Sequence, residues 1–594
     1  MGKGDYKISD IYQGGYSSLS PKYGDVFTGY RMNPSSFGMT TDPRTANVLQ
    51  DVSSKLSSGA KHIEVSAVTP QVFESIPDQQ LKELNRLSKL TGVDISMHGP
   101  IAEPSGLSDR GFSETQREAA ERQMFSAIKR GHEINPNGNI PITFHSSAVP
   151  FAGNIPQKGE KGDLKELEET MIINTQTGSI HKIPLKERFF PGEEGKKDIH
   201  VEIKKINDEQ WTENLDQLRA HAEVGKEAID NSMATKIISE MEKKENKNWS
   251  KEEEQMRTLY NKGALYLNSS YNSLQQLFDV AYQRVPDAEK QKIQNFFKEV
   301  DDKARKIKED TKSIESVQLR KEIIDQGVEL LKDLSAPQTY ANLEDFSKEK
   351  TVETFSNIAL KSYKEFKDNS PIISIENPPA GVIFSTGEDL KSIVEKSREK
   401  FVEKAIKSKA EGGLAISEDE AKKQADKLLG VTWDVGHINM LRKFGYENKD
   451  LIAQTEKVAP MVKHIHLSDN FGFEHTELPM GMGNVPIKEI MEKLGKNGFD
   501  ARKIVEASAW WEHFKSPPFK ETLEAFGSPI YGMTMGPYWN QGPGFQQNYF
   551  SGYGMMLPQV NYETFGAGFS RLPSELGGQR QGTEGSRMSG KGME

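Results

Sequence analysis

The 594-residue chain contains no cysteine. That excludes disulfides, thiolate ligands and a cysteine nucleophile, and leaves only imidazole and carboxylate side chains to hold a metal. No apolar run reaches transmembrane length, and the opening MGKGDYKISD lacks the hydrophobic core of a secretory signal, so the expected location is cytoplasmic. Positive charge is not in excess. Lys and Arg number 77 against 87 Asp and Glu, a net charge of −10, which argues against holding nucleic acid by bulk charge and leaves only a local basic rim for that purpose. No regular repeat period is visible, and the length is too great for one compact domain.

Histidine, by contrast, is placed with a pattern. Of twelve histidines, five sit with three acidic residues in or just after short apolar runs: ISMHGP, ITFHSS, IISIENPP, VTWDVGH, VKHIHLSDN and KIVEAS. His98, His145, Glu376, Asp434, His437, His466 and Glu506 each fall where a buried parallel strand would emerge into a loop. Strands are predicted over 36–41, 61–66, 93–98, 140–145, 371–376, 430–434, 462–467 and 503–508, alternating with amphipathic helices. Capping boxes at Ser113/Gln116 and Ser417/Glu420 open two of those helices. Alternating strands and helices close into a (β/α)8 TIM barrel, whose chemistry gathers at the C-terminal ends of its strands.

The rhythm divides the chain. A Gly/Tyr/Ser-rich lead-in covers 1–24, the first half of the barrel 25–150, and the second half 366–527. Between them, 151–365 reads as an insertion: a β-hairpin from MIINT, the turn QTGS and IHKIPL, followed by DIHVEIKKI, and then a long polar helical tract suited to a protein partner. The Gly- and aromatic-rich tail 528–594 cannot bury a core and is expected to be disordered. Its Tyr531, Tyr538, Trp539, Phe545, Tyr549 and Phe550 offer faces on which bases could stack.

Residues that end different strands of a barrel converge on its axis, as a multidentate metal site requires. Imidazole and carboxylate donors suit Zn²⁺, with Mn²⁺ as the substitute where carboxylates dominate. His464, one layer deeper than His466, reads as a hydrogen-bonded core residue, and Trp510, Trp511 and His513 as aromatic packing beyond the last strand.

The ordered series His98, His145, Glu376, Asp434-x-x-His437, His466-Leu-Ser-Asp469, the G-x-G-N turn at 481–484 and Glu506 resembles the xylose isomerase-like TIM barrels. That superfamily includes apurinic/apyrimidinic endonuclease IV of AP endonuclease family 2 and the sugar-phosphate isomerases and epimerases. The likeness covers roughly 25–150 and 366–527. It implies up to three Zn²⁺ ions: one on His98, His145 and Glu376; a second on Glu376, Asp434, His466 and Glu506; a third on His437 with His475 and Glu477. The endonuclease pattern in that last loop is Asp-x-His, where this chain has His475-Thr-Glu477. The family's DNA-contacting Tyr is Ile101 here, and the acidic residue of its turn is Met482.

Three functions follow. The first is hydrolysis of a phosphodiester at an abasic site in DNA, with Glu376, Glu506 and His437 catalytic. The second is isomerisation or epimerisation of a sugar or small sugar phosphate, with one metal on Glu376, Asp434, His466 and Glu506 and two glutamates moving the proton. The third is a non-catalytic metal-bound scaffold.

Overall fold

Apolar runs bounded by turn residues form the strands of the barrel: β1 (Phe37–Thr40), β2 (His62–Ser66), β3 (Asp94–His98), β4 (Pro141–His145), β5 (Ile372–Glu376), β6 (Leu429–Asp434), β7 (Val462–Leu467) and β8 (Arg502–Val505). The computed structural model describes residues 37–159, 162–187, 198–230, 250–311 and 313–526. All eight strands are parallel and neighbour one another in chain order, with β8 returning to β1 in a closed TIM barrel. Closure brings Gly38 between His62 and Ile504. A Cβ there would lie 2.6 Å from the His62 carbonyl oxygen and 2.7 Å from Ile504 Cδ1, so the seam needs a glycine.

Helices Val48–Ser57, Asp78–Thr91, Glu114–Ile134, Gly387–Ile406, Glu418–Leu428, Asn448–Val458 and Ile487–Asp500 cover the outside. This explains why β6 is buried at all six positions, as a strand shielded on both faces must be. Ser113 and Ser417 cap their helices by accepting the N–H of Gln116 and Glu420. The eighth strand ends at Val505, one residue short of Glu506, whose N–H still donates to the Leu467 carbonyl at 2.9 Å.

The chain divides into two compact units, 1–166 with 347–594 and 167–346. In the second, Glu169–Asn174 pairs antiparallel with both Ile180–Pro184 and Tyr340–Asn342. The helices Ile199–Asp230, Lys251–Arg284, Asp287–Glu309 and Ile314–Lys332 enclose a core that includes Trp211, Leu267, Leu274, Phe278 and Ile293. Gly225 and Gly263 meet where two of these helices cross, and a Cβ on Gly263 would lie 2.9 Å from the Gly225 carbonyl oxygen. DIHVEIKKI, read from sequence with the hairpin, is instead helical from Ile199. Asp198 accepts the N–H groups of His200 and Val201, and burial at Ile203, Asn207, Trp211 and Leu215 follows the helical period. Elements that escaped the sequence reading include the helices Ile314–Lys332 and Leu343–Phe366 and the strand Tyr340–Asn342. The lead-in and the tail, with its aromatic residues, lie outside the described residues. Among the described residues no helix is long and apolar enough to cross a membrane.

Candidate metal centre

Strand register sets the site. Glu376 at the end of β5 is in register with His145 on β4, and Asp434 at the end of β6 with His466 on β7. His98 closes β3 and Glu506 follows β8. Among the described residues, ligand atoms lie within 4.8 Å of one another in four groups: His98, His145 and Glu376; Glu376, Asp434, His466 and Glu506; His98, His466 and Glu506; and Glu64, His464 and His466.

Glu376 is the hub. Its Oε1 lies 2.7 Å from His466 Nδ1, and its Oε2 lies 3.3 Å from His98 Nε2 and 3.2 Å from His145 Nε2. Oε2 is buried and has no hydrogen-bond partner. His98 Nδ1 is 2.9 Å from the Gly99 carbonyl, which fixes the proton on Nδ1 and turns the Nε2 lone pair towards that carboxylate oxygen. A bare Nε2 facing that oxygen would repel it, so a cation must lie between them: a proton in the metal-free chain, where burial opposes the His98 cation but Glu376 overrides it and raises His98, or a metal ion. Donors about 3.3 Å apart form an edge of a coordination tetrahedron when each stands about 2.0–2.1 Å from the ion.

The neighbouring wall is built in the same way. Asn377, just past β5, braces β6 through both amide atoms, donating to the Asp434 carbonyl at 3.0 Å and accepting the Asp434 N–H at 2.9 Å. The Asn377 carbonyl takes the Nδ1 proton of His437 at 2.7 Å, so His437 Nε2 faces outwards. There it meets His475 Nε2 at 2.8 Å and Asp434 Oδ2 at 3.8 Å. Asp434 Oδ2 is a second buried oxygen without a partner. His475 itself is exposed. Its loop is pinned by Asp469, which accepts the N–H groups of Asn470, Gly481 and Val485 at 2.8–3.1 Å and so folds the G-x-G-N turn back on β7. The expected third set is not brought together as a converging group: among the described residues His437, His475 and Glu477 belong to none of the four, although the Glu477 charge is felt at Glu506.

Without a metal, protons hold this cluster together. Burial opposes the charge of Glu376, but His466 and His145 outweigh it and keep the carboxyl well below its usual range. Burial likewise disfavours the His466 cation, and the carboxylates of Glu376, Glu506 and Glu64 override it, raising His466 well above its ordinary value. Burial pushes the Glu506 carboxyl well up, with Glu376 and Asp434 adding to the rise against His466. His437 goes the other way, driven down by burial, so it presents a neutral nitrogen. A divalent cation would take the place of these protons.

One layer below the site the barrel interior is polar rather than aliphatic, with Glu64, Ser96, Thr143, Ser374, Thr432 and His464 fully buried. Thr432 lies 2.9 Å from Thr143 and 2.7 Å from Ser374, and His464 Nε2 lies 2.9 Å from Glu64 Oε1. The sequence reading singled out strand ends and so passed over Glu64 and Asn377. The signal for Glu64 was a charged residue inside the apolar run HIEVS, two positions from His62 on the same face. Around the mouth, Ile101 is 49% exposed, Phe471 57%, Phe473 69% and Met482 40%.

A family model described as a xylose isomerase-like TIM barrel matches residues 388–526. An uncharacterized protein of Methanocaldococcus jannaschii is 29% identical over 105 residues, which is 18% of this chain and 34% of that protein; the chain spans about a third of the length of the curated relative it matches. A solved structure described as a D-tagatose 3-epimerase-like protein aligns over 83% of this chain and 96% of its own, at 14% identity and a TM-score of 0.34.

Proposed function

We propose that this chain, whose residues 388–526 match a family model described as a xylose isomerase-like TIM barrel, is a divalent-metal-dependent phosphodiesterase, with an abasic site in DNA as its first candidate substrate. The observation that supports this reading is the two-sided approach to Glu376: His466 on Oε1, His98 and His145 on Oε2. A carboxylate addressed from both sides suits a bridge between two cations. A single-metal isomerase uses Glu376, Asp434, His466 and Glu506 and leaves His98, His145 and His475 to bind substrate or to support the ligands, so it does not call for the approach of His98 and His145 to Oε2.

The residues fit the group. Buried Glu376 Oε2 and Asp434 Oδ2 lack partners, and His98 and His437 each spend Nδ1–H on a backbone carbonyl while presenting Nε2. His98, His145 and Glu376 would hold one ion, for which the two imidazoles suit Zn²⁺, and Glu376, Asp434, His466 and Glu506 another, where the three carboxylates admit Zn²⁺ or Mn²⁺. When bound, such ions supply Lewis acidity for water activation and charge neutralisation at phosphorus. The chain's own part is positional: Glu376 fixes the two sides relative to each other, Glu506 at the mouth accepts or returns a proton, and His437 with His475 addresses the leaving oxygen.

A second reading, a sugar-phosphate isomerase, is favoured by one specific observation. The exposed rim side chains Ile101, Phe471, Phe473 and Met482 are apolar, which suits a small ligand better than a polyanion. The test is cleavage of a duplex bearing one abasic analogue, beside proton exchange of ketose phosphates in deuterated water. The zinc-loaded chain is expected to nick the duplex, and His475→Ala to lower that rate by about 100-fold or more, through lost stabilisation of the leaving oxygen. No nicking together with exchange into a sugar overturns the hydrolase and installs the isomerase.

A further inference from the structure

Glu64 stands outside the set of ligands that line the mouth. It lies within β2, and its carboxylate meets β7, a strand that does not neighbour β2, so the contact crosses the barrel interior. Glu64 and His466 are both fully buried, and His466 Nε2 faces the Glu64 carboxylate, hydrogen-bonded to Oε1 at 3.4 Å with Oε2 at 3.1 Å. The other ring nitrogen, His466 Nδ1, faces the site, 2.7 Å from Glu376 Oε1 and 3.2 Å from Glu506 Oε1. The two nitrogens of His466 are thus divided between the site above and Glu64 below. Glu64 is itself held, because its Oε1 accepts from His464 Nε2 at 2.9 Å and from Ser96 Oγ at 3.4 Å.

We infer that Glu64 is a positioning residue for the metal centre: it takes the Nε2 proton of His466, orients the ring and strengthens Nδ1 as a ligand. The inference rests on the reading that the mouth holds a metal. A carboxylate on the far nitrogen of a ligating imidazole fixes its tautomer and raises its basicity, and losing such a partner weakens metal binding by about 10–100-fold. The buried position of Glu64 follows from this role. A fully buried carboxylate is costly unless it is paired and hydrogen-bonded, and here its partners are one ligand and two groups that aim it at that ligand. Ser96 and His464 hold Glu64 in place, and His464 also packs edge-on against the His466 ring at 5.2 Å.

The experiment measures the Zn²⁺ affinity of the full-length folded chain by competition with a chromogenic chelator. Glu64→Gln keeps the volume but removes the charge, and the expected result is a dissociation constant raised by about 10–100-fold at unchanged stoichiometry. A purely structural Glu64 would shift the melting point of the metal-free chain and leave the affinity of the folded chain as it was. That result, or loss of a whole metal equivalent, which would make Glu64 a ligand, overturns the inference. Should Glu64→Gln fail to fold, ¹⁵N-histidine spectra of the zinc-loaded wild type decide: His466 is expected to show a protonated Nε2, and a bare Nε2 overturns the role. A wild type that binds no zinc defeats the metal reading itself, whereas zinc binding equally tight in wild type and Glu64→Gln defeats this inference alone.

Discussion

Glu376→Gln is expected to empty both sides of the site at once and to abolish turnover while leaving the barrel folded. The carboxylate that His466, His98 and His145 share becomes an amide of the same shape. The amide keeps the shape but loses the charge that pairs with His466 and His145, so the metal-free variant should still fold but be less stable than the wild type, as when one partner of a buried pair is removed. The loss in rate should be about 10³-fold or more, because electrostatic stabilisation and water activation fall together. Metal content by mass spectrometry, thermal melting and a cleavage assay check the three parts. Unchanged metal stoichiometry would remove Glu376 as the bridge.

Lys503→Met is expected to stabilise the barrel, and to do so in a pH-dependent way. Lys503 lies at the start of β8, fully buried, with Nζ donating to the Ala501 carbonyl at 2.6 Å. Burial brings its ammonium down to about 7 from an ordinary 10.5. Between those values the unfolded chain binds a proton that the folded chain does not, so the wild type gains stability as pH rises through this window. Below about 7 it carries the full penalty of a buried charge. At about 1.4 kcal/mol per pKa unit, less the lost hydrogen bond and relaxation around the site, the variant should be about 1–3 kcal/mol more stable at pH 6. The advantage should shrink steadily by pH 9. Chemical denaturation of both proteins at several pH values measures it, and a difference that does not change with pH would show that Lys503 stays charged or is solvated.

The barrel was legible in the sequence because its eight strands are short apolar runs, each closed by a turn or a polar residue, and the intervening helices carry a clear period and serine caps. The convergence of His98, His145, Glu376, Asp434, His466 and Glu506 was legible for the same reason: a parallel barrel brings strand ends together however far apart they lie in sequence. What stayed hidden depends on partners distant in sequence. Glu64 is a single charge in an apolar run, and its meaning comes from His466, about 400 residues away. Asn377 looks like a loop residue until its amide is seen holding both backbone groups of Asp434. DIHVEIKKI alternates enough to pass for a strand, and its helical form is fixed by the Asp198 cap and by the core against which Trp211 packs. The His475 loop shows the opposite limit. Its residue types were readable, but its position depends on Asp469 gathering three backbone N–H groups.

The most direct test of the metal centre is the amount of zinc retained by the wild-type chain after loading and dialysis, set beside the same measurement on His98→Ala. Two or more ions per wild-type chain are expected, with one fewer in the variant, since His98 approaches Glu376 Oε2 directly at 3.3 Å beside His145. Retention of less than one ion by the wild type, or equal retention by both proteins, would contradict the account.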